Sequence, residues 1–141
     1  MLYYVIIDTN VLVSAVIKHD SIPGAILDLA FEGPVIPVLN DTIENEYRAV
    51  LSREKFHLTE DIIDDIISSF HNRSIYVDER SFEAEFPDES DRVFYEVVMT
   101  VRDEEDAYLV TGNLRHFPVK PFIVSPRQLL GLILNDSEPK Y

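Results

Sequence analysis

Apolar and polar positions alternate along the chain in blocks that change period. Tyr3 to Ile7 is a short β-type apolar run that ends abruptly at Asp8, and helical spacing through Val11, Leu12, Ala15 and Val16 follows it. This predicts a strand running into a helix. Ser21 caps a second helix with Pro23 in its first turn and Ile26, Leu27, Ala30 and Phe31 facing inward, until Gly33 and Pro34 stop it. Val35 to Leu39 reads as the next strand. Asn40 then caps a helix bearing Ile43, Tyr47, Val50 and Leu51, and Thr59 caps one bearing Ile62, Ile63, Ile66, Ile67 and Phe70. A strand at Ile75 to Val77, a helix around Phe94 to Val101, strands at Tyr108 to Thr111 and Phe122 to Ser125, and a helix Arg127 to Leu134 opened by Pro126 complete the series.

Strands alternating with amphipathic helices imply crossover connections and a mostly parallel sheet covered on both faces. The expected class is α/β, a three-layer α/β/α sandwich. The 141 residues, 46% of them hydrophobic, suffice for one core, so residues 1–134 are expected to form a single domain and residues 135–141 a loose tail. The apolar run Leu2 to Ile7 is far short of the roughly 20 residues of a membrane span, and no basic region precedes it as in a signal peptide. A soluble, cytoplasmic protein with no membrane partner is expected. There is no cysteine, which excludes disulfides, zinc–thiolate sites and thiol catalysis and leaves oxygen or imidazole as metal ligands. Only four glycines are present and none forms a phosphate-binding loop.

The charge changes the picture more. Twelve Lys and Arg against 26 Asp and Glu leave a net charge of −14, which repels a polyanion on average. Asp78, Glu79, Glu83, Glu85, Asp88, Glu89 and Asp91 fall in one stretch, read as a solvated acidic loop.

In open α/β sheets the working groups collect beyond the carboxyl ends of strands, where Asp8, Asn113 and Ser125 fall. Asp8 follows five β-type residues directly, so its carboxylate emerges at the sheet edge; its bland role would be to cap the next helix. Asp91 precedes Phe94, Tyr95, Val98 and Val101 by three, four, seven and ten residues, which puts it on their apolar stripe. A cap need not face the core, so capping explains Asp88 better than Asp91. Glu44 and Glu46 flank the buried face of their helix on opposite sides, and spacing does not choose between them. His19, His57, His71 and His116 form no ligand pair, and only His116 falls near the strand ends.

Four blocks together resemble the PIN domain: Val5-Ile6-Ile7-Asp8-Thr9-Asn10-Val11-Leu12, the helix Asn40 to Leu51, Asp88-Glu89-Ser90-Asp91, and Tyr108-Leu109-Val110-Thr111-Gly112-Asn113. They occur in the family's order and extend to about Ile133. The ending Thr111 to Pro118 is similar to that of toxin components of bacterial and archaeal toxin–antitoxin pairs. The resemblance implies a metal-dependent ribonuclease with Asp8, Glu46 and Asp91 as catalytic and metal-holding acids, and it selects Glu46 over Glu44. Thr9, Asn10, Thr111, Asp88 and Asn113 take supporting places. Many relatives carry Asp where this chain has Asn113, and a neutral amide there weakens the case for a second ion. Converging carboxylates either raise their pKa values or take up a hard divalent cation, so Mg²⁺ or Mn²⁺ is the implied cofactor. Hydrolysis of RNA would leave a 5′-phosphate and a 3′-hydroxyl. The implied partners are an RNA substrate, a cognate antitoxin and a second copy of the chain as a homodimer. With a net charge of −14, the antitoxin is expected to bring a basic tail whose arginine pairs with Asp8 or Asp91 in place of the ion.

Two other readings compete. Lys120-Pro121-Phe122 imitates a receiver domain, but a receiver needs an acidic pair after its first strand, where this chain has Thr9 and Asn10. A noncatalytic PIN module serving as a binding scaffold fits Asn113 and the acidic charge.

Overall fold

The computed structural model describes residues 1–137. Five strands, β1 (Tyr3–Ile7), β2 (Val35–Leu39), β3 (Ile75–Tyr76), β4 (Ala107–Val110) and β5 (Ile123–Val124), form one parallel sheet in the order β3-β2-β1-β4-β5. The helices between them are α1 (Thr9–Ile17), α2 (Ile22–Glu32), α3 (Asp41–Leu51), α4 (Glu60–Arg73), α5 (Arg92–Val101) and α6 (Pro126–Ser137). The chain first works outward from β1 through β2 to β3, then returns across the sheet to β4 and β5. Right-handed connections running in opposite directions put their helices on opposite faces. Accordingly α1 to α4 pack among themselves, while α5 packs on β1 and β4. The result is the expected α/β/α sandwich.

Strand composition follows from that burial. Val5, Ile6 and Ile7 are consecutive, point to alternating faces and are all buried, so β1 is covered on both sides as a central parallel strand must be. Pro37 has no N–H to give to a neighbouring strand, and the short β3 begins its pairing one residue later, at Val38. The capping residues act as their types dictate: Ser21, Asn40 and Thr59 each accept a hydrogen bond from the backbone N–H three residues on. Ser125 and Gln128 close a reciprocal capping box at the start of α6.

Two stretches carry more structure than the sequence suggests. The last helix runs on to Ser137, beyond the expected end at Leu134, and the Tyr3 hydroxyl donates to Asp136. The remainder of the expected tail, 138–141, lies outside the described residues. The acidic stretch is also more than a solvated loop. Its acids are largely exposed, but Phe82 and Phe86 pack edge-on against Tyr95. Arg92 donates to the Phe82 and Ala84 carbonyls at 2.9 and 2.7 Å, pairs with Glu89 and lies over the Phe86 ring. Among the described residues no helix is long and apolar enough to cross a membrane.

Candidate active site

Sheet register places the first two polar residues. Ile7 pairs with Val110, so Asp8 and Thr111 leave their strands level with each other at the carboxyl edge. The Thr111 hydroxyl donates to Asp8 Oδ2 at 2.7 Å and accepts the Asn113 N–H at 3.0 Å. Because that hydroxyl already accepts from Asn113, its single proton is committed to Asp8. Asp8 occupies the N-cap position of α1 yet its carboxylate makes no capping bond, which removes the bland explanation for an acid there. Asn10 reaches the same carboxylate at 3.4 Å through its amide, and its carbonyl accepts from Gly112 N–H at 3.0 Å. A β-carbon on Gly112 would come within 3.2 Å of that Asn10 oxygen, so a side chain there would push the Asn10 amide aside slightly.

The helix side of the site hangs on Tyr47. Its fully buried hydroxyl donates to the Ile7 carbonyl, which ties α3 to the end of β1. One residue earlier on α3, Glu46 accepts the Thr9 hydroxyl and so stands beside Asp8. Glu44 turns away, to the Tyr76 hydroxyl at 2.5 Å and His71 at 3.3 Å. Tertiary contacts thus separate two acids that the helical wheel left equivalent. Asp91 begins α5 without capping it, and its Oδ2 lies 3.2 Å from His116 Nδ1. Asp88 behaves as the cap, accepting from the Ser90 amide and hydroxyl at 3.0 and 2.9 Å.

Asp8, Thr9, Asn10, Glu46, Asp88, Asp91 and Asn113 all line one open hollow of about 470 Å³, together with His116. Thr111 is buried beneath it. Asn113 is exposed at the rim; its backbone N–H donates to Thr111 and its backbone carbonyl accepts from the His116 N–H at 3.0 Å. Missed in the sequence reading were Arg53 and Phe56, which line the same hollow. A signal was present for Arg53, which follows Glu46 and Val50 at i+7 and i+3 and stands two residues past the end of α3.

Electrostatics mark the hollow as a place short of positive charge. Burial pushes the Asp8 carboxyl up to about 6, and the charges of Asp91 and Glu46 add to the rise, against the Thr111 and Thr9 hydrogen bonds. Glu46 and Asp91 are raised as well, in both cases first by burial. Asp88 is lowered by its bonds from the Ser90 amide and hydroxyl. Among the described residues no three Asp, Glu or His side chains are set to ligate one ion together directly. The donor set nevertheless suits Mg²⁺ or Mn²⁺, since all three acids offer hard oxygen and such an ion takes one or two carboxylates and keeps several waters. Asp8 is the donor that most needs a cation, being 5% exposed with no positive partner.

Comparison with known proteins identifies the family. The family profile of the PIN domain matches residues 4–115. An uncharacterized protein of Methanocaldococcus jannaschii is 31% identical over 112 residues, which cover 77% of this chain and 70% of that protein. No solved structure matches.

Proposed function

The chain belongs to the PIN-domain family, and on that premise we propose that it is a Mg²⁺- or Mn²⁺-dependent endoribonuclease, the toxin component of a toxin–antitoxin pair. The observation that carries the reading is Asp8, a buried carboxylate held by Thr111, facing Glu46 and Asp91 across a hollow and forming no ion pair among the described residues. Isolated buried charge is costly, and a site that accumulates it is arranged for a cation. When bound, the divalent ion supplies the charge that offsets the carboxylates and activates water toward a phosphodiester.

Asp8, at the end of β1, and Asp91, just before α5, would hold the ion. Glu46, turned inward by the Thr9 hydroxyl, accepts a proton from the attacking water and so completes the acidic set. Asn113, a neutral amide at the rim, adds no charge, which favours one tightly held ion over two. The reaction leaves a 5′-phosphate and a 3′-hydroxyl. The partners of this reading are an RNA substrate, a second copy of the chain as a homodimer, and an antitoxin whose basic tail competes with the ion for Asp8 and Asp91.

The test is cleavage of a panel of labelled RNAs by purified protein treated with EDTA and then resupplied with Mg²⁺ or Mn²⁺. Cleavage should require the added ion, leave 5′-phosphate ends, fall at least a hundredfold in Glu46→Gln (about 3 kcal/mol of barrier) and persist in Glu44→Gln. Cleavage undiminished by EDTA, or equal loss in both glutamine variants, would contradict the assignment. A folded, ion-supplied protein that cut no RNA would favour the scaffold role, which Asn113 and the acidic surface suit.

A further inference from the structure

We propose that Arg53 and Phe56 form the strand-binding subsite of this hollow, the guanidinium taking a backbone phosphate beside the scissile one and the phenyl ring stacking an unpaired base. The proposal rests on the ribonuclease reading and names its substrate more closely, as single-stranded RNA.

The first ground is charge. A chain of net charge −14 needs positive charge near the scissile phosphate, and among the described residues Arg53 is the one Lys or Arg side chain lining the hollow. Most other arginines are committed elsewhere. Arg48, Arg80, Arg92 and Arg102 pair with Asp64, Asp103, Glu89 and Asp106, and Arg73 donates to the carbonyls of Ala30, Gly33 and Val35. The Arg53 side chain is exposed and makes no hydrogen bond or ion pair among the described residues, so its five donors remain available. It acts on the site already, since its charge opposes the rise in the Glu46 pKa.

The second ground is Phe56. The chain has eight phenylalanines, and Phe31, Phe70, Phe82, Phe86, Phe94, Phe117 and Phe122 belong to the hydrophobic core or pack against it. Phe56 does neither. It stands half-exposed on the 3₁₀ turn Glu54–Phe56, lines the hollow, and has Lys55 Nζ 5.1 Å from its ring centroid. His57 closes that turn at φ 54°, the one non-glycine residue with positive φ among those described. An aromatic ring held outside the core beside an unpaired guanidinium is the combination that binds single strands, where phosphates meet the positive charge and bases stack on the ring. Paired bases in a duplex are already stacked and present no free face to Phe56.

The experiment uses full-length protein carrying Asp8→Asn, so that the strand survives, with a fluorescein-labelled ten-nucleotide single-stranded RNA followed by anisotropy in Mg²⁺ over a salt series. Adding Arg53→Ala should weaken binding about tenfold and reduce the slope of log K against log salt by about one. Adding Phe56→Ala should weaken it roughly 5- to 100-fold while Phe56→Tyr keeps it, and duplex RNA should not respond to Phe56→Ala. Melting temperatures should match the parent, because neither side chain belongs to the core. In cleavage assays on the otherwise intact protein, both alanine variants should raise KM more than they lower kcat. Cleavage that proceeds with binding, KM and salt slope unmoved by either alanine overturns the subsite and leaves the nuclease reading intact. Binding that falls in both variants of a protein that cuts nothing upholds the subsite and overturns the nuclease reading. Absence of strand binding, in a protein whose Asp8-intact form also cuts nothing, overturns both.

Discussion

Replacing Asp8 with asparagine removes a buried carboxylate from the metal-free fold, and it is expected to raise stability while abolishing cleavage. The Asp8 pKa rises from 3.8 to about 6 on folding. A folded-state pKa above the unfolded one means that the protonated fold is the more stable. The contribution is therefore fully present below about pH 4 and is lost as pH rises through about 6. At about 1.4 kcal/mol for each step of one in pKa, a rise from 3.8 to about 6 makes ionised Asp8 cost roughly 3 kcal/mol at about pH 7.5. Asparagine keeps an acceptor for the Thr111 hydroxyl but adds an amide that needs a partner, which offsets about 1 kcal/mol. The net gain is about 2 kcal/mol, or roughly 4–8 °C in melting temperature for a chain of this size.

The assay is thermal unfolding of both proteins in EDTA from pH 4 to pH 8, repeated with Mn²⁺. The variant should match the parent near pH 4 and exceed it increasingly toward pH 7.5. Mn²⁺ should raise the parent's melting temperature by mass action and leave the variant unmoved. A variant less stable than the parent at pH 7.5 in EDTA, or an advantage that does not change with pH, would refute the reasoning and make Asp8 a structural residue.

Three further perturbations probe the supports of the site. Thr111→Val deletes the hydroxyl that stabilises ionised Asp8, so the acidic limb of the pH–rate profile should move to higher pH. Tyr47→Phe breaks the buried bond from α3 to the Ile7 carbonyl and should cost about 1–2 kcal/mol in urea unfolding, with a fall in kcat as Glu46 drifts from Asp8. Arg92→Ala frees the Phe82 and Ala84 carbonyls; limited proteolysis should speed up within residues 78–88 and activity should fall, and Arg92→Lys should restore neither, because an ammonium cannot span both carbonyls and Glu89. Unchanged proteolysis in the alanine variant would show that the aromatic contacts hold the stretch alone.

How far the sequence announces this arrangement depends on the range of the interaction concerned. Local chemistry is legible: Ser21, Asn40 and Thr59 cap the helices expected of them, and the apolar run before Asp8 becomes the central strand. Asp91 lies on an apolar stripe in the sequence and half-buried at the hollow in the structure, because helical period alone fixes which way it faces. Contacts between distant segments are not legible. Glu44 and Glu46 differ only in that β3 brings Tyr76 to one and α1 brings Thr9 to the other. The Tyr3 bond to Asp136 at the end of α6 joins residues more than a hundred positions apart in the chain. The acidic stretch misleads for a related reason: its charges dominate the composition, while two phenylalanines and one arginine bind it to α5. That attachment bears on the site, since Asp88 and Asp91 stand at the stretch's end and Arg92 follows directly. The residue that fastens the acidic segment is thus the covalent neighbour of the acid facing Asp8 across the hollow, so a change in the segment's anchorage is transmitted to Asp91 through a single peptide bond.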